Sequence, residues 1–513
     1  MKKLVSIFLA VIMVLSMTAL IACSDDTPGT NADQPSNTPS TPSTPTDDAG
    51  TGDDESDENA RIPLDLPEAY YGGEEQFHIL EWTANDNYDS GTVWLPWHEG
   101  DVTEESEDLM SNAVFARNAY VEEKYGVLIT QEYVNVNGGA NIQRLQLDNQ
   151  TSANEFQLTT TRSYAAWTLV ESGLLLDMNR FADDILHFEQ PWWVQDAVES
   201  FRLGDSLYLC ASEMQLRDKG ATSVTYFNTT IADDYGINNF YELMEDGDWT
   251  METMISACDI AATSLDGDDL INSRKDLWGI NGNDDPMYML YAGAGYKFAH
   301  IDDDGYMVYD FGNKDSILLM QEIFEEVMYA DWFQNAYLVS LPGDGGGFKE
   351  NLGLFTLSLV KTAAITLRDM ESDYGVLPIP KYDDDQDNYC SLVWMHHDGI
   401  LGIPSSVANP EMCATILEAL SYEGYYTVMP VLYDTLLYNR LAKTEEAKRG
   451  FEVVFETRVF DPGQYWDATP GFTDKVLRHT ATGNSSIATL WAESENAVNA
   501  HVDIVNEFID ETR

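Results

Sequence analysis

The chain has 513 residues, enough for two or three domains, and a composition of 44% hydrophobic and 12% aromatic residues supplies ample core. Its 88 acidic against 27 basic residues give a formal net charge of −61, which repels phosphate backbones and sets nucleic acid aside as a partner. We read the acidity as solubility outside the cell.

Lys2 and Lys3 followed by the apolar run Leu4–Ile21 form an export signal over residues 1–22. It ends in Leu20-Ile21-Ala22-Cys23, which resembles a bacterial lipobox: small Ala22 suits the peptidase and the Cys23 thiol takes a diacylglyceryl group. Residues 23–61 contain the repeat TPSTPSTPT and then DDAGTGDDESDEN, with almost no large apolar side chain, so they are expected to be a disordered tether. Of the other cysteines, Cys210, Cys258, Cys390 and Cys413 have no CxxC spacing; they can pair in three ways or stay free.

The globular body is expected from Ile62. Strands are predicted over 76–82, 127–134, 156–161, 204–212, 221–228, 363–367 and 400–403. Helices are predicted over 114–125, 141–149, 165–172, from Pro191 onward, 251–262 with Thr250 as N-cap, 316–329, 411–421 and 486–510. Val376–Pro380 is too short and proline-rich for a helix. Asp302-Asp303-Asp304-Gly305 suits a hairpin turn. The Asp266–Asp276 stretch has the outline of a calcium loop, but Asp269 stands where glycine belongs and Lys275 where the last carboxylate belongs, so no metal is assigned. His396 and His397 are adjacent and would point to opposite faces of a strand, which disfavours a two-histidine metal site. No nucleophile-elbow, HExxH or phosphate-loop pattern is present.

The stretch from Thr362 to Pro404 carries a resemblance. Leu367-Arg368, Met370-Glu371, Asp373, Gly375, Leu377-Pro378 and Pro380-Lys381-Tyr382-Asp383, with Gln386 and Tyr389, precede Gly399-Ile400-Leu401-Gly402-Ile403-Pro404. This pattern resembles extracellular solute-binding proteins of ABC importers, the sugar-type family and within it a large clostridia-like lipoprotein subgroup. The similarity extends over most of residues 62–513. It implies an α/β, two-lobed periplasmic-binding-protein-like fold of type II, with the ligand cleft between lobes. Residues 62–210 with 398–455 would form lobe 1, and 211–397 with 456–513 lobe 2. Hinges are expected near Cys210–Glu213 and His397–Asp398, and the C-terminal helix should pack back across the second lobe. The implied function is capture of a solute, an oligosaccharide, for an ABC transporter permease. The protein would be a lipid-anchored monomer on the extracellular face of the cell membrane, with no cofactor and no catalysis. A secreted glycan-active enzyme, or a peptide or metal binder on the same scaffold, are the alternatives.

Ligands of open α/β sheets sit beyond the carboxyl ends of strands. Trp82 and Trp394 are expected there as platforms for a sugar ring. Tyr164, Glu213, Tyr291 and Arg368 are weaker candidates at similar topological positions. Trp192, Trp193 and Trp249 are assigned to packing.

Overall fold

The structure, a computed structural model, describes residues 61–83, 109–135, 139–335, 346–396, 399–434, 444–466, 472–473, 475–476, 483 and 485–513, with Thr83, Tyr164 and Gly346 described by their backbone alone. The expected signal, the Cys23 anchor, the tether to residue 60 and the hinge pair His397–Asp398 lie outside these residues. Among the described residues no helix is long and apolar enough to cross a membrane.

Alternation of side chains builds the first sheet. Strand β1 (Glu75–Thr83) places Phe77 and Ile79 on one face and Leu80 and Trp82 on the other, all buried. It pairs in parallel with β2 (Val127–Asn135) and β3 (Leu158–Thr161). The Leu109–Tyr125 helix, longer than expected, buries Met110, Val114, Val121 and Tyr125 at helical spacing and stops at Gly126, whose φ of 67° needs no Cβ.

The chain then crosses to a second sheet of β4 (Ser223–Asn228), β5 (Trp278–Gly282), β8 (Phe333–Asn335), β9 (Gly353–Leu359) and β10 (Tyr374–Leu377), with a small hairpin of β6 (Ala299–Ile301) and β7 (Met307–Tyr309) beside it. Strands β11 (Ser391–Leu392) and β12 (Ile400–Gly402) carry it back, and β13 (Arg458–Val459) pairs with β11. The sheet orders, β12-β3-β1-β2 and β10-β4-β9-β5-β8, share one plan. In each, three parallel strands have the first in the middle, and an antiparallel strand lies beside the third. That antiparallel strand is always the one that has just crossed: β12 in the first sheet, β4 in the second.

Most expected elements form. Thr250 caps the Met251–Ala261 helix in a capping box with Thr253. Gly305 at φ 79° turns the β6–β7 hairpin. The Ile487–Thr512 helix forms as one piece. Its start lies against second-lobe groups, Trp491 stacking on Tyr309. Its end reaches the first lobe, where Phe508 meets Trp167 and Tyr208.

Four expectations are corrected. The 363–367 strand is instead the Lys361–Ile365 helix, and the strand is β9 before it. A hydroxyl pair, Ser358 Oγ to Thr362 Oγ1 at 2.7 Å, closes the corner, and alanines favour the helix that follows. The 204–212 segment is extended but forms only isolated bridges, because the Asp177 carboxylate accepts from the Leu207 N–H that a ladder would need. Pro191–Trp193 form a turn, and the helix starts at Gln195. Finally, the Glu445–Glu456 helix, counted with the first lobe, packs on β10 of the second: Gly450 lies so close to Val376 that a Cβ would overlap its carbonyl.

Candidate functional site

Both crossings run between the carboxyl ends of parallel strands. The outward segment, residues 212–222, enters β4 at Ser223, opposite the end of β9 at Leu359. The return segment, described over residues 393–396 and at Gly399, enters β12 at Ile400, opposite the end of β3 at Thr161. The two segments and the ends of β1, β3 and β9 therefore converge, which is where open α/β sheets hold ligands.

Trp82 ends the buried run of β1, with 2% of its surface exposed, and its indole N–H has no partner among the described residues. Two guanidinium groups flank the ring. Arg217, from the outward crossing, lies 4.8 Å from the ring centroid, and Arg162, just beyond β3, lies 5.4 Å from it. Arg217 Nε is 2.7 Å from the fully buried Glu81 carboxylate. Gln215 donates from Nε2 to the Gly399 carbonyl, and Ser163 Oγ donates to the Met395 carbonyl at 3.3 Å, so strand ends and crossings are tied directly. A Cβ at Gly399 would sit 3.2 Å from Arg217 Cδ and 3.5 Å from the Trp82 indole nitrogen, which leaves little room for a larger residue.

On the return segment Trp394 is buried, its ring 5.3 Å from Tyr288 and 4.8 Å edge-on to His396. Burial, helped by the nearby Arg162 charge, pushes His396 down to about 4, so its imidazole is neutral at physiological pH.

Glu213 belongs to an adjacent group. Lys219, itself fully buried, places Nζ 3.1 Å from both the Glu213 and Asp218 carboxylates and donates to the Ser212 carbonyl at 3.2 Å. Arg458 of β13 completes it, 2.8 Å from Asp218 and 3.6 Å from Glu213.

The structure thus brings Trp82, Glu213 and Trp394 to the crossings, and the backbone of Tyr164 opens the helix after Arg162. It does not bring the other two candidates there. Arg368 lies exposed on a turn after the Lys361–Ile365 helix, because the strand that would have delivered it is not formed. Tyr291 is buried in the Pro286–Gly293 helix among Tyr296, Phe298 and Phe311, and that burial raises its phenol far above the usual range. The sequence reading passed over Glu81, Arg162 and Arg217, and weighed His396 only as a metal ligand. Its available signal was an arginine at a strand end in a chain poor in basic residues.

The tryptophans assigned to packing have partners that account for them. The fully buried Glu418 carboxylate accepts from the indoles of Trp192 at 2.8 Å and Trp193 at 2.9 Å and contacts His187 Nδ1 at 3.1 Å. Trp249 donates to the Pro378 carbonyl at 3.0 Å. In the calcium-like loop, Asp276 accepts from the backbone of Leu265, Asn272 and Ser273. Burial would raise this carboxyl, but those donors outweigh it and hold it below the usual range. Among the described residues no group of histidine, cysteine and carboxylate side chains is arranged to hold a metal, and Cys210, Cys258, Cys390 and Cys413 are free thiols. An open pocket of about 520 Å³ lies apart from the crossings, between the Phe240–Asp246 and Glu445–Glu456 helices, and is lined mainly by carboxylates.

No family model matches the chain, and no curated protein matches its sequence. Solved structures do match its fold. An ABC substrate-binding protein from Listeria monocytogenes in complex with cycloalternan is 12% identical, with a TM-score of 0.52 over 85% of this chain and 99% of that one. The galacto-N-biose/lacto-N-biose I-binding protein of the ABC transporter from Bifidobacterium longum, in complex with lacto-N-biose, is 13% identical, with a TM-score of 0.54 over 85% of this chain and 98% of that one. The fold is the two-lobed, type II fold of ABC solute-binding proteins.

Proposed function

We propose that this chain captures a saccharide between its two lobes and delivers it to the permease of an ABC importer, working by binding rather than chemistry. The observation that carries the reading is the convergence of both crossings on the strand ends, where indole, guanidinium and amide groups gather at Trp82, Arg162, Arg217 and Gln215. The fold is shared by an ABC substrate-binding protein solved in complex with cycloalternan and by an ABC transporter's binding protein solved in complex with lacto-N-biose. Lobe closure about the two crossings would sequester the ligand. The lipobox-like Leu20–Cys23 supports a lipid anchor at the extracellular face of the membrane, and the chain would act there as a monomer.

Thermal-shift screening of the full chain against a glycan panel tests the binding. A ligand at a hundredfold its Kd adds about 2.7 kcal/mol to the native state. Failure of every glycan to raise the melting temperature overturns the reading. Conversion of a binding glycan into product would replace it with the enzyme alternative. The anchor has its own test: Cys23→Ala should release the protein or leave it unprocessed, and a mutant that is still lipid-labelled and membrane-bound rules the anchor out.

A further inference from the structure

Trp82 is expected from the sequence as a platform for a sugar ring, and the structure covers that platform. The Arg217 guanidinium lies 4.8 Å from the ring centroid, that of Arg162 lies 5.4 Å from it, and 2% of the residue is exposed. A ring so enclosed has no open face for a pyranose to stack on. Its edge differs. The indole N–H is buried, has no partner among the described residues, and can only donate. Buried polar groups are ordinarily hydrogen-bonded, so an orphan donor at the strand ends calls for a reason.

A matching acceptor lies beside it. Gln215, 1% exposed, donates from Nε2 to the Gly399 carbonyl, which fixes Oε1 as the atom left over. That oxygen is also buried without a partner among the described residues. The two side chains come together at Gly399: the Cβ which that residue lacks would lie 3.3 Å from Gln215 Nε2 and 3.5 Å from the Trp82 indole nitrogen. One side chain reaches the spot from the end of β1, the other from the outward crossing. An orphan donor and an orphan acceptor at one place suit a hydroxyl, which accepts through its oxygen and donates through its hydrogen. A carboxylate could use only the donor, and an ammonium group only the acceptor.

We propose that Trp82 and Gln215 read a single hydroxyl of the saccharide, the indole N–H donating to its oxygen and Gln215 Oε1 accepting from its O–H. The edge of Trp82, not its face, makes the contact. The pair sets specificity, because a sugar without that hydroxyl leaves two buried groups unpaired. The expected discrimination is about ten- to a hundredfold. The proposal rests on the saccharide-binding reading above and adds the residues that choose among sugars.

The test is calorimetry on the full chain with maltotriose, cellotriose, galactotriose and mannotriose and the monodeoxy analogues of each. For a trisaccharide that binds, one monodeoxy analogue should bind about ten- to a hundredfold more weakly. Trp82→Phe keeps an apolar ring and removes the N–H. It should weaken the parent sugar about tenfold and leave that one analogue unchanged. Gln215→Met should show the same dependence. This non-additivity separates a hydrogen bond to the hydroxyl from a general disturbance of the site. Equal weakening of the parent and every analogue by Trp82→Phe means that the ring acts by packing, and overturns the proposal. Equal affinity of the unaltered chain for the parent and all its analogues also overturns it and leaves the saccharide reading standing. If none of the four trisaccharides binds, the proposal falls, and the wider glycan panel judges the saccharide reading by itself. Should Trp82→Phe fold poorly, Gln215→Met and the analogue series on the unaltered chain decide.

Discussion

Two charged groups sit side by side on the crossing segments, and they are built differently. Glu213, Asp218, Lys219 and Arg458 form a closed set: two carboxylates, two cations, with Lys219 and Asp218 fully buried and the bonds among them made within the set. The group at Trp82 is open. There Arg217 pairs with Glu81 and lies, with Arg162, over the Trp82 ring, whose buried indole N–H has no partner among the described residues. Removing charges from water is costly, and a buried network offsets that only when its members satisfy one another. In the first group each carboxylate faces both cations, and the group ties the outward crossing to β13 and so to β11. The contrast teaches that Glu213, chosen from the sequence as a ligand contact, is held by Lys219 and Arg458, whereas the Trp82 indole N–H has no partner among the described residues.

Breaking the closed set should have the largest effect. Lys219→Met leaves two carboxylates in the interior facing Arg458 alone, and the expected loss is about 4 kcal/mol, from the range for unpairing a buried ion. Chemical denaturation measures it. A loss under about 1 kcal/mol would mean the network is not the structural pin described.

Trp394→Ala comes next, at about 3 kcal/mol, because the ring is buried against Tyr288 and His396 and its removal leaves a cavity. The backbone N–H of Trp394 donates to the Ala221 carbonyl at 2.9 Å, a tie between the two crossings that alanine keeps, so the loss is that of the side chain alone. Unchanged melting with lost sugar affinity would return Trp394 to the role of a binding platform.

Acid should find the open group through His396. Its folded value near 4 lies below the ordinary 6.5, so between these values the unfolded chain binds the proton more readily. The contribution of a neutral His396 is therefore complete above pH 6.5 and is lost as pH falls toward 4. At pH 4.5 the loss is about 2 kcal/mol. Asp461 acts in the opposite sense over an overlapping range, since burial pushes it up to about 6 and its burden eases on acidification. The informative quantity is the difference between the unaltered chain and His396→Gln: the variant should lose less stability from pH 7 to 4.5. Identical pH profiles would show that His396 titrates normally.

What could be read in the sequence was whatever is local or periodic. Phe77, Ile79, Leu80 and Trp82 announce β1, and Thr250 announces its helix, because each signal lies within a few residues of its effect. The turn at Leu359 was misread because Thr-Ala-Ala-Ile-Thr-Leu is short and apolar enough for a strand, and only the Ser358–Thr362 hydroxyl contact and the hydrogen bond from Val360 N–H to the Thr222 carbonyl decide it. Glu418 could not have been matched to Trp192, 226 positions earlier. The same holds for the site. Strand-end logic placed Trp82 at the crossings, but the pairing of Glu81 with Arg217 exists only once the crossing is folded.

The smallest effect on stability is expected at Arg162. Arg162 is half-buried, and its cation–π contact with Trp82 at 5.4 Å contributes on the order of 0.5–1 kcal/mol. Arg162→Gln should therefore cost about 1 kcal/mol or less at pH 7. It should also move His396 toward its ordinary value, since the Arg162 charge is one of the two causes of the depression; burial, the larger cause, remains. The acid-sensitive window should narrow accordingly, which a pH series of melting curves on Arg162→Gln and Lys219→Met together would measure. A loss from Arg162→Gln as large as that from Lys219→Met would make the two groups alike, both fastenings, and would remove the reason for reading one of them as a site.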